Sequence, residues 1–349
     1  MSEHRQAESE AGAEDRCLIT GASGFIGGRL TERLLSEGRA VRCLVRASSD
    51  TSRLRKLGVE IVLGDLSRPP TLASAVEGCS HVFHCAALVS DWATTAEIAA
   101  ANVHGARNML TAAAAASVKR FIHISSTDVY GHPGTTGVDE THTPTRFANW
   151  YAQTKLEGER QVRLAASAHS LDLVILRPAT VYGPGSKEVV GEISRAIEAR
   201  HMLLIDHGRP IAGLCYIENL IDAALLARHS PRASGQALNI SDGLPVTWRE
   251  FVDGLADGLG APRPRWSIPY GLAAAIGFAL EHGYRLARRT TGLSLPPLLS
   301  RQAVQVLGID QDFSNEAARE LLCWEPRVDY QAGLQATLEW LTSEYLKHA

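Results

Sequence analysis

The sequence predicts an α/β protein in which a doubly wound parallel sheet is followed by a smaller, mostly helical lobe. From Arg16 onward, short apolar runs alternate with longer helical runs, and a glycine-rich turn follows the first apolar run. Strands that are separated by helices form βαβ crossovers, which place helices on both faces of a parallel sheet. After Pro178 the alternation becomes irregular and Pro- and Gly-rich patches recur. This change predicts a second lobe at the carboxyl edge of the sheet, where open α/β sheets bind ligands.

Each element of the predicted sheet follows from a local pattern. Strands are read from short apolar runs, and helices from longer stretches with apolar residues three or four positions apart. The predicted strands are Cys17–Thr20, Val41–Val45, Glu60–Leu63, His81–His84, Arg120–Ile124 and 173–176. The predicted helices are Phe25–Ser36, 96–116 and 151–168. Residues 1–15 are polar and rich in Glu, Ala and Ser, which predicts a disordered tail.

The composition excludes several classes of protein. The 349 residues are 45% hydrophobic and carry 35 Lys+Arg against 38 Asp+Glu, which gives a net charge of −3. This composition supports a sizeable core, and the nearly balanced charge provides no electrostatic footprint for nucleic acid or an anionic membrane. No stretch approaches the ~20 apolar residues of a membrane span. We therefore expect no nucleic-acid partner and no transmembrane helix.

The cysteines and histidines point to neither disulfides nor a metal. The six cysteines are scattered without a CxxC pair, and no histidine pair has metal-ligand spacing. A chain of this length buries a core without disulfide bonds. We therefore expect reduced thiols, a cytoplasmic location and no metal.

A glycine motif follows the first predicted strand directly. Gly21, Gly24 and Gly27 form a G-x-x-G-x-x-G pattern that opens a helix. The first glycine permits a tight turn, the second lets a pyrophosphate approach the backbone, and the third packs the helix against the strand. The helix N-terminus supplies the positive end of its dipole to the phosphates. The motif predicts a dinucleotide site, and its remaining loop residues are Ser23, Phe25 and Ile26.

This site divides the chain into two predicted units. Residues 16–180 are assigned to a dinucleotide-binding Rossmann domain. Residues 181–349 are assigned to a substrate-binding lobe, with interleaved strands that return to the sheet.

The residue after the second strand indicates which dinucleotide is preferred. An acid there hydrogen-bonds the adenosine ribose, whereas a base pairs with a 2′-phosphate. Arg46 occupies this position, and the first acid after it is Asp50. We predict that NADP(H) is preferred, with NAD(H) as the second dinucleotide; the alternative is a solvated arginine at a strand end.

Two further strand ends carry residues that suit a nucleotide. Asp65 follows the third strand, where its carboxylate can accept a hydrogen bond from an adenine amino group, and Leu66 is next to it. Cys85, Ala86 and Ala87 follow the fourth strand, where small residues let the backbone lie against the nucleotide. In this order the strand ends fit one elongated ligand.

Three residues form a candidate catalytic group. Tyr151 and Lys155 are four positions apart and therefore share one face of a predicted helix. A neighbouring ammonium favours the phenolate, so Lys155 is expected to lower the pKa of Tyr151 from its usual ~10. Such a tyrosine is suited to general acid–base catalysis. Ser126, at the end of the fifth strand, is placed to hydrogen-bond the same substrate oxygen.

The glycine motif together with Tyr151-x-x-x-Lys155 resembles the short-chain dehydrogenase/reductase superfamily in its extended form. Further matches are His84-Cys85-Ala86-Ala87, 102–108, 125–131 and Leu176-Arg177-Pro178, and the resemblance covers residues 16 to 345. It implies that Tyr151 is the proton donor and acceptor, Lys155 binds the nicotinamide ribose and Ser126 is the catalytic serine. It also implies cofactor-side roles for Asn102 and Pro178, and a homodimer through the helix that carries Tyr151.

Two departures argue against a nucleotide-sugar substrate. Dehydratases of the family carry Asp-Glu after the catalytic Thr, but Thr127 and Asp128 follow Ser126 here. Epimerases have an Asn after the Arg-hydrophobic pair of the sixth strand, where this chain continues with Ala179 and Thr180. The segments 216–220, 313–317 and 324–328 instead resemble the 3β-hydroxysteroid dehydrogenase-like branch. That resemblance implies a secondary alcohol or ketone on a bulky apolar molecule.

An apolar segment in the second lobe allows three interpretations. It is a substrate lid with a basic rim, an interfacial helix at a membrane surface, or an ordinary helix packed on the core. Its apolar residues are Trp266, Ile268, Pro269, Tyr270, Leu272, Ile276, Phe278 and Leu280, and the basic residues after them are Arg285, Arg288 and Arg289.

The sequence therefore predicts an NAD(P)-dependent oxidoreductase that interconverts a ketone and a secondary alcohol on a steroid-like, β-keto acid-like or polyketide-like substrate. The expected NADP preference favours reduction. The alternatives are a nucleotide-sugar epimerase and a non-catalytic dinucleotide-sensing protein, although the latter class usually lacks the Tyr or the Lys.

Overall fold

A parallel sheet of seven strands lies at the centre of the protein. The computed structural model describes residues 15–89, 93–144, 147, 150–291 and 300–346, with the backbone alone for 285–291. The described strands are β1 (Cys17–Thr20), β2 (Val41–Val45), β3 (Glu60–Leu63), β4 (His81–His84), β5 (Arg120–Ile124), β6 (Asp172–Pro178), β7 (Thr180–Tyr182), β8 (Leu204–Ile205), β9 (Leu214–Tyr216), β10 (Ala237–Ile240) and β11 (Ser267–Ile268). The central sheet has the order β10-β6-β5-β4-β1-β2-β3.

This topology confirms the predicted doubly wound α/β fold. The strand order reverses between β1 and β4, so the crevice at the carboxyl ends of these strands is the expected ligand position. All six predicted strands are present, and β6 extends two residues beyond the predicted 173–176, to Pro178. The seventh strand, β10, comes from the range assigned to the substrate lobe and pairs with β6 in parallel. The predicted tail lies outside the described residues except for Asp15.

The helices cover both faces of the sheet and build the region beyond it. They are α1 (Phe25–Ser36), α2 (Ser52–Lys56), α3 (Ala73–Val76), α4 (Thr95–Ala99), α5 (Ala106–Ala115), α6 (Trp150–His169), α7 (Glu192–Glu198), α8 (Ile217–Ala227), α9 (Trp248–Gly258), α10 (Tyr270–Thr291), α11 (Arg301–Gly308), α12 (Glu316–Leu322) and α13 (Tyr330–Trp340). The single helix predicted at 96–116 is α4 and α5 joined by a π-helical segment, Ala100–Gly105. No helix in the described ranges is long and apolar enough to cross a bilayer.

One hydrophobic core joins the two predicted units. It extends from the buried strand β1 to Trp248 in α9 and Trp324 after α12, both only 1% exposed. A second cluster fills the opposite face of the sheet beneath α5 and α6. The division at residue 180 therefore remains a prediction about function, since the packing is continuous across it.

The structure shows which face of helix α10 is buried. Its inward positions are Ala273, Gly277 and Glu281, and Glu281 pairs with Arg301 of α11 at 2.8 Å. Its large apolar side chains are exposed instead, as is the preceding Trp266, and the exposed set is Leu272, Ile276, Phe278 and Leu280. The exposed side chains suit a lid or an interfacial helix, whereas the inward face packs on α11 as an ordinary helix does, so the three interpretations stay predictions. The basic residues at 285–289 lie among those described by backbone alone.

Candidate active site

The glycine turn forms a cradle that side chains would fill. Gly21 has φ +72°, a left-handed conformation that favours glycine, and a Cβ there would lie 2.7 Å from the Ala86 nitrogen. A Cβ on Gly27 would overlap the carbonyl oxygen of Gly21. Gly24 is the N-cap of α1 and provides no side chain to cap the helix. The first-turn N–H groups are therefore presented to a ligand at the positive end of the helix dipole, which fits a pyrophosphate.

The other predicted nucleotide residues lie at the carboxyl ends of neighbouring strands. Arg46 is exposed after β2, and its charge contributes to a lowered pKa of Asp65 after β3. The larger cause of that lowering is Ser67, whose backbone N–H and hydroxyl both donate to Asp65 Oδ1, at 2.8 and 2.7 Å. The structure thus brings the predicted base and the predicted acid to one edge, next to the glycine turn.

The remaining loop and strand-end residues border the same crevice. Ala86 presses against Gly21, and its N–H donates to Thr20 Oγ1 at 3.2 Å. The other predicted cofactor residues at this edge differ in exposure. Exposed are Ser23 and Ala87, half-buried are Phe25, Ile26, Leu66 and Cys85, and buried is Pro178.

Tyr151 and Ser126 are brought together from α6 and the end of β5. Their side chains are hydrogen-bonded, which lowers the pKa of the Tyr151 hydroxyl, but two stronger effects raise it. The largest is burial, which disfavours the phenolate, and the second is the negative charge of Asp128. The pKa of Tyr151 therefore lies above its usual value. The sequence-based expectation of a pKa lowered by Lys155 is not met in this structure.

Lys155 is buried one helical turn after Tyr151. Its Nζ donates to the carbonyl oxygen of Ile124 in β5 at 2.8 Å. Burial lowers the pKa of Lys155 to about 8, while the charge of Glu159, one turn further along α6, acts in the opposite direction. Tyr151, Lys155 and Glu159 follow one another at intervals of four and share a face of the helix.

Two contacts fix the position of α6 on the sheet. Arg177 in β6 makes a two-pronged ion pair with Glu159, through Nε to Oε1 at 3.0 Å and Nη2 to Oε2 at 2.7 Å. A Cβ on Gly158 would meet the Asn102 carbonyl oxygen at 2.5 Å, so α6 and the π-helical segment approach closely only because residue 158 is glycine. The positions of Tyr151 and Lys155 therefore depend on residues along the whole first half of α6.

Asn102 holds the backbone of the crevice. Its Oδ1 accepts from the Leu88 N–H at 2.7 Å, and its Nδ2 donates to the Leu88 carbonyl oxygen at 3.1 Å and to Thr154 Oγ1 at 3.3 Å. Asn102 was predicted as a cofactor-side residue. Its described contacts tie the loop after β4 to α6, next to Lys155, and make it a positioning residue.

Sequence reasoning missed the polar group that surrounds Asp128. The Asp128 N–H donates to Ser126 Oγ at 3.1 Å, and Gln302 Nε2 of α11 donates to Asp128 Oδ2 at 3.3 Å. Asp128 had been considered only as evidence that a dehydratase-type Glu is lacking. No local pattern links residue 302 to residue 128, because the contact spans 174 positions.

Hydrogen bonds hold the C-terminal region on the rest of the fold. They join two of the segments that resemble the 3β-hydroxysteroid dehydrogenase-like branch, 216–220 and 324–328. Asn219 Oδ1 accepts from the N–H groups of Arg327 and Val328, both at 3.0 Å, and Asn219 Nδ2 donates to Asp242 at 2.8 Å. Trp324 Nε1 donates to the Asn219 carbonyl oxygen at 3.0 Å. These hydrogen bonds therefore stabilise the fold, and none of them involves Ser126 or Tyr151.

The glycine cradle, the helix with Tyr151 and Lys155, and the strand-end crevice together define an NAD(P)-dependent short-chain dehydrogenase/reductase that acts on CH–OH and C=O groups. Residues 17–241 match the NAD dependent epimerase/dehydratase family, and the chain belongs to this family of extended enzymes. The predicted resemblance is thereby confirmed.

Three of the similar proteins match this chain along almost their whole length. The chain is 33% identical to 4-hydroxy-2-methyl-3-oxo-4-farnesyl-3,4-dihydroquinoline-1-oxide ketoreductase of Stigmatella aurantiaca, covering 92% of this chain and 95% of the relative. It is 32% identical to 2-alkyl-3-oxoalkanoate reductase of Stenotrophomonas maltophilia, covering 92% and 97%. It is 31% identical to 3 beta-hydroxysteroid dehydrogenase/Delta 5-->4-isomerase of Mycobacterium tuberculosis, covering 94% and 90%.

The fold is also shared with sugar-nucleotide enzymes. The crystal structure of UDP-glucose 4-epimerase from Thermotoga maritima superimposes with a TM-score of 0.75 at 22% identity, covering 94% of this chain and 98% of that one. At this identity the similarity concerns the fold alone.

Proposed function

We propose that this chain reduces a ketone on a bulky, apolar substrate to a secondary alcohol, and that it prefers NADPH to NADH. The observation that carries the proposal is the Tyr151 hydroxyl, hydrogen-bonded to Ser126 one helical turn from the buried Lys155. The names of the three relatives support a ketone or secondary alcohol as the reacting group.

The side chains have distinct roles in this reaction. The reduced dinucleotide, when bound, would supply the hydride that the carbonyl carbon accepts. Ser126 donates a hydrogen bond to the carbonyl oxygen, and Tyr151 transfers its proton to that oxygen, which completes the alcohol. Lys155 is proposed to bind the nicotinamide ribose from its buried position on the same helix face. Gly21, Gly24 and Gly27 would hold the pyrophosphate at the start of α1.

The protonation state of Tyr151 suits the role of proton donor. Burial and Asp128 raise the pKa of its hydroxyl, so the group is protonated at neutral pH. The direction of the reaction is proposed from the expected preference for NADPH, because the same residues serve the reaction in both directions.

The test is a kinetic panel with a matched active-site variant. Purified protein is assayed with NADPH and NADH against ketosteroids, long-chain β-keto acids and their esters, flavanonols and UDP-sugars. Tyr151→Phe removes the proton donor and keeps the ring, so kcat for an apolar ketone should fall by roughly 10²–10⁴-fold. Turnover of a UDP-sugar without turnover of any ketone would replace the reductase with an epimerase. Near-normal turnover by Tyr151→Phe would refute the role of this residue.

The preference for NADPH is assigned to Arg46. This exposed arginine follows β2 beside Asp65, at the edge where an adenosine 2′-phosphate would lie. Arg46→Ala should raise the Kd for NADPH by about 10–100-fold, the value of one or two charge-assisted hydrogen bonds, and leave the Kd for NADH unchanged. The control is Arg55→Ala, which removes an exposed arginine from α2. Equal affinities for the two dinucleotides in the unmodified enzyme would refute the preference.

Two further parts of the proposal concern the setting of the enzyme. All six cysteines are free thiols, which suits a reducing compartment and supports a cytoplasmic location. A homodimer through α6 is proposed from the family resemblance, and sedimentation velocity measures it directly.

A further inference from the structure

A polar cluster lies beside Ser126, and its side chains neither transfer a proton nor bind the dinucleotide in the reaction proposed above. We call Asp128, His132, Gln302 and Gln311 the Asp128 cluster. His132 Nδ1 lies 3.0 Å from Gln311 Oε1, and its Nε2 lies 3.8 Å from Asp128 Oδ1. Gln302 Nε2 donates to the other carboxylate oxygen at 3.3 Å. Two side chains, those of His132 and Gln302, thus reach the Asp128 carboxylate, and Gln311 reaches it through His132.

The backbone at His132 is strained. Its φ of +56° lies in the left-handed region, which costs about 1 kcal/mol or more in a residue other than glycine. Gln311, which reaches it from a position 179 residues later, holds the ring in place. Strain of this kind persists only where the surrounding structure over-determines the conformation, and it is concentrated at functional sites.

The cluster borders the reacting group. Asp128 is two residues after Ser126, and its own N–H donates to the Ser126 hydroxyl oxygen at 3.1 Å. Its charge acts on both Tyr151 and Lys155 across the site. When Ser126 and Tyr151 hold the ketone oxygen of a substrate, the groups next to the carbonyl carbon would therefore lie in the electric field of the Asp128 carboxylate.

The surroundings of Asp128 are electronegative. The two side chains that reach its carboxylate each carry a buried polar atom without a hydrogen-bond partner among the described residues, Gln302 Oε1 and His132 Nε2. Within the described ranges, the ion-pair partner of Asp128 is His132 alone. The nearby cation, Lys155, is 4% exposed and donates to the Ile124 carbonyl oxygen, with Glu159 on its other side. These contacts leave it poorly placed to bind a substrate carboxylate.

We propose that the Asp128 cluster selects a neutral ketone and rejects a ketone that carries a carboxylate beside the reacting carbonyl. A substrate carboxylate in this position would meet a second negative charge in a partly desolvated site, where repulsion is much stronger than in water. A neutral substrate with a hydroxyl or N–H group would instead meet hydrogen-bond acceptors. The proposal rests on the proposed ketone reduction and names the charge class of its substrate. It separates this chain from the relative named as a 2-alkyl-3-oxoalkanoate reductase.

The experiment compares two substrates with the same carbon skeleton. The ratio of kcat/KM for methyl 3-oxododecanoate to that for freshly prepared 3-oxododecanoate is measured with NADPH at pH 7. We expect the unmodified enzyme to favour the ester by about tenfold or more, and Asp128→Asn to bring the ratio close to one. Because a change in Tyr151 affects both substrates alike, the ratio isolates the effect of substrate charge.

A matched control removes a negative charge elsewhere. Asp139→Asn changes an exposed loop carboxylate that accepts from Thr141, and it should leave the ratio unchanged. A ratio near one in the unmodified enzyme, or a preference for the acid, would overturn the proposal. A preference for the ester that Asp128→Asn does not alter would overturn the assignment to Asp128.

A binding experiment tests the charge selection independently of the proposed ketone reduction. Calorimetric binding of the acid and the ester, with oxidised dinucleotide present, gives an affinity ratio that does not depend on turnover. An ester preference in binding without reduction of either compound would refute the ketone reduction and retain the charge selection. Equal binding of the two compounds would refute the charge selection whatever the enzyme reduces.

Discussion

The dinucleotide cradle and the substrate side of the active site are built by different means. The cradle depends on the absence of side chains, since Gly21 and Gly27 let a turn, a helix start and the segment after β4 approach one another. The substrate side depends on polar side chains that meet over long distances in the sequence, as Gln302 meets Asp128. The cradle is therefore disrupted by substitutions that add a side chain, and the substrate side by substitutions that remove a polar group.

This difference explains what each region contributes. A backbone cradle fits the invariant part of a dinucleotide, its pyrophosphate, and leaves little room for variation. Side-chain clusters on α11 and the loop after β5 can differ between related enzymes while the fold is kept, so substrate preference is expected to reside there.

The strongest test of the first half of the comparison is Gly27→Ala. Alanine is favoured over glycine in a helix by about 1 kcal/mol, so this change would stabilise α1 if space allowed. Here the new methyl group would overlap the Gly21 carbonyl oxygen, and the turn would have to move. We expect a loss of about 3 kcal/mol in stability, together with loss of dinucleotide binding, measured by chemical unfolding and by fluorescence titration.

Gly283→Ala is the matched control for this experiment. Gly283 is also helical, but a Cβ there meets nothing within 4 Å. It should stabilise α10 by up to about 1 kcal/mol and leave dinucleotide binding unchanged. If both alanine variants bind the dinucleotide equally well, the cradle does not depend on the close approach at Gly27.

Sequence reasoning succeeded where function follows from neighbouring residues. The strands, the glycine motif and the Tyr151–Lys155 spacing are local patterns, and the doubly wound fold they predict is confirmed. It failed where the outcome depends on distant residues. The pKa of Tyr151 is raised because burial and Asp128 outweigh the hydrogen bond from Ser126, and burial is a property of the completed fold. The sequence also left three interpretations open for the segment that forms α10, because the face that a helix buries depends on the neighbours it meets, in this case α11.

A smaller effect tests the same dependence on distant polar side chains outside the active site, at the buried Asn219. This side chain donates to Asp242 and accepts from the backbone N–H groups of Arg327 and Val328. Asn219→Ala leaves these groups without partners, and we expect a loss of about 2 kcal/mol in stability at pH 7 by urea unfolding. The control is Asn108→Ala, which removes a half-buried asparagine with a bond to the Leu66 carbonyl oxygen and should cost about 1 kcal/mol.

The pH dependence of the Asn219→Ala effect identifies its cause. Burial raises the pKa of Asp242 from 3.8 to about 6, and the hydrogen bond from Asn219 holds it from rising further. Because the folded state binds this proton more tightly than the unfolded state does, the cost of the buried charge is fully present above pH 6 and declines as the pH falls towards 4. Removing Asn219 increases that cost.

The difference in stability between the variant and the unmodified protein should therefore shrink by about 1 kcal/mol between pH 7 and pH 5. The part due to the lost bonds from Arg327 and Val328 involves no charge and should remain at both pH values. If the difference in stability between the variant and the unmodified protein is the same at pH 7 and pH 5, Asn219 acts through those backbone bonds alone. The buried carboxylate of Asp242 then contributes nothing to holding the C-terminal region in place.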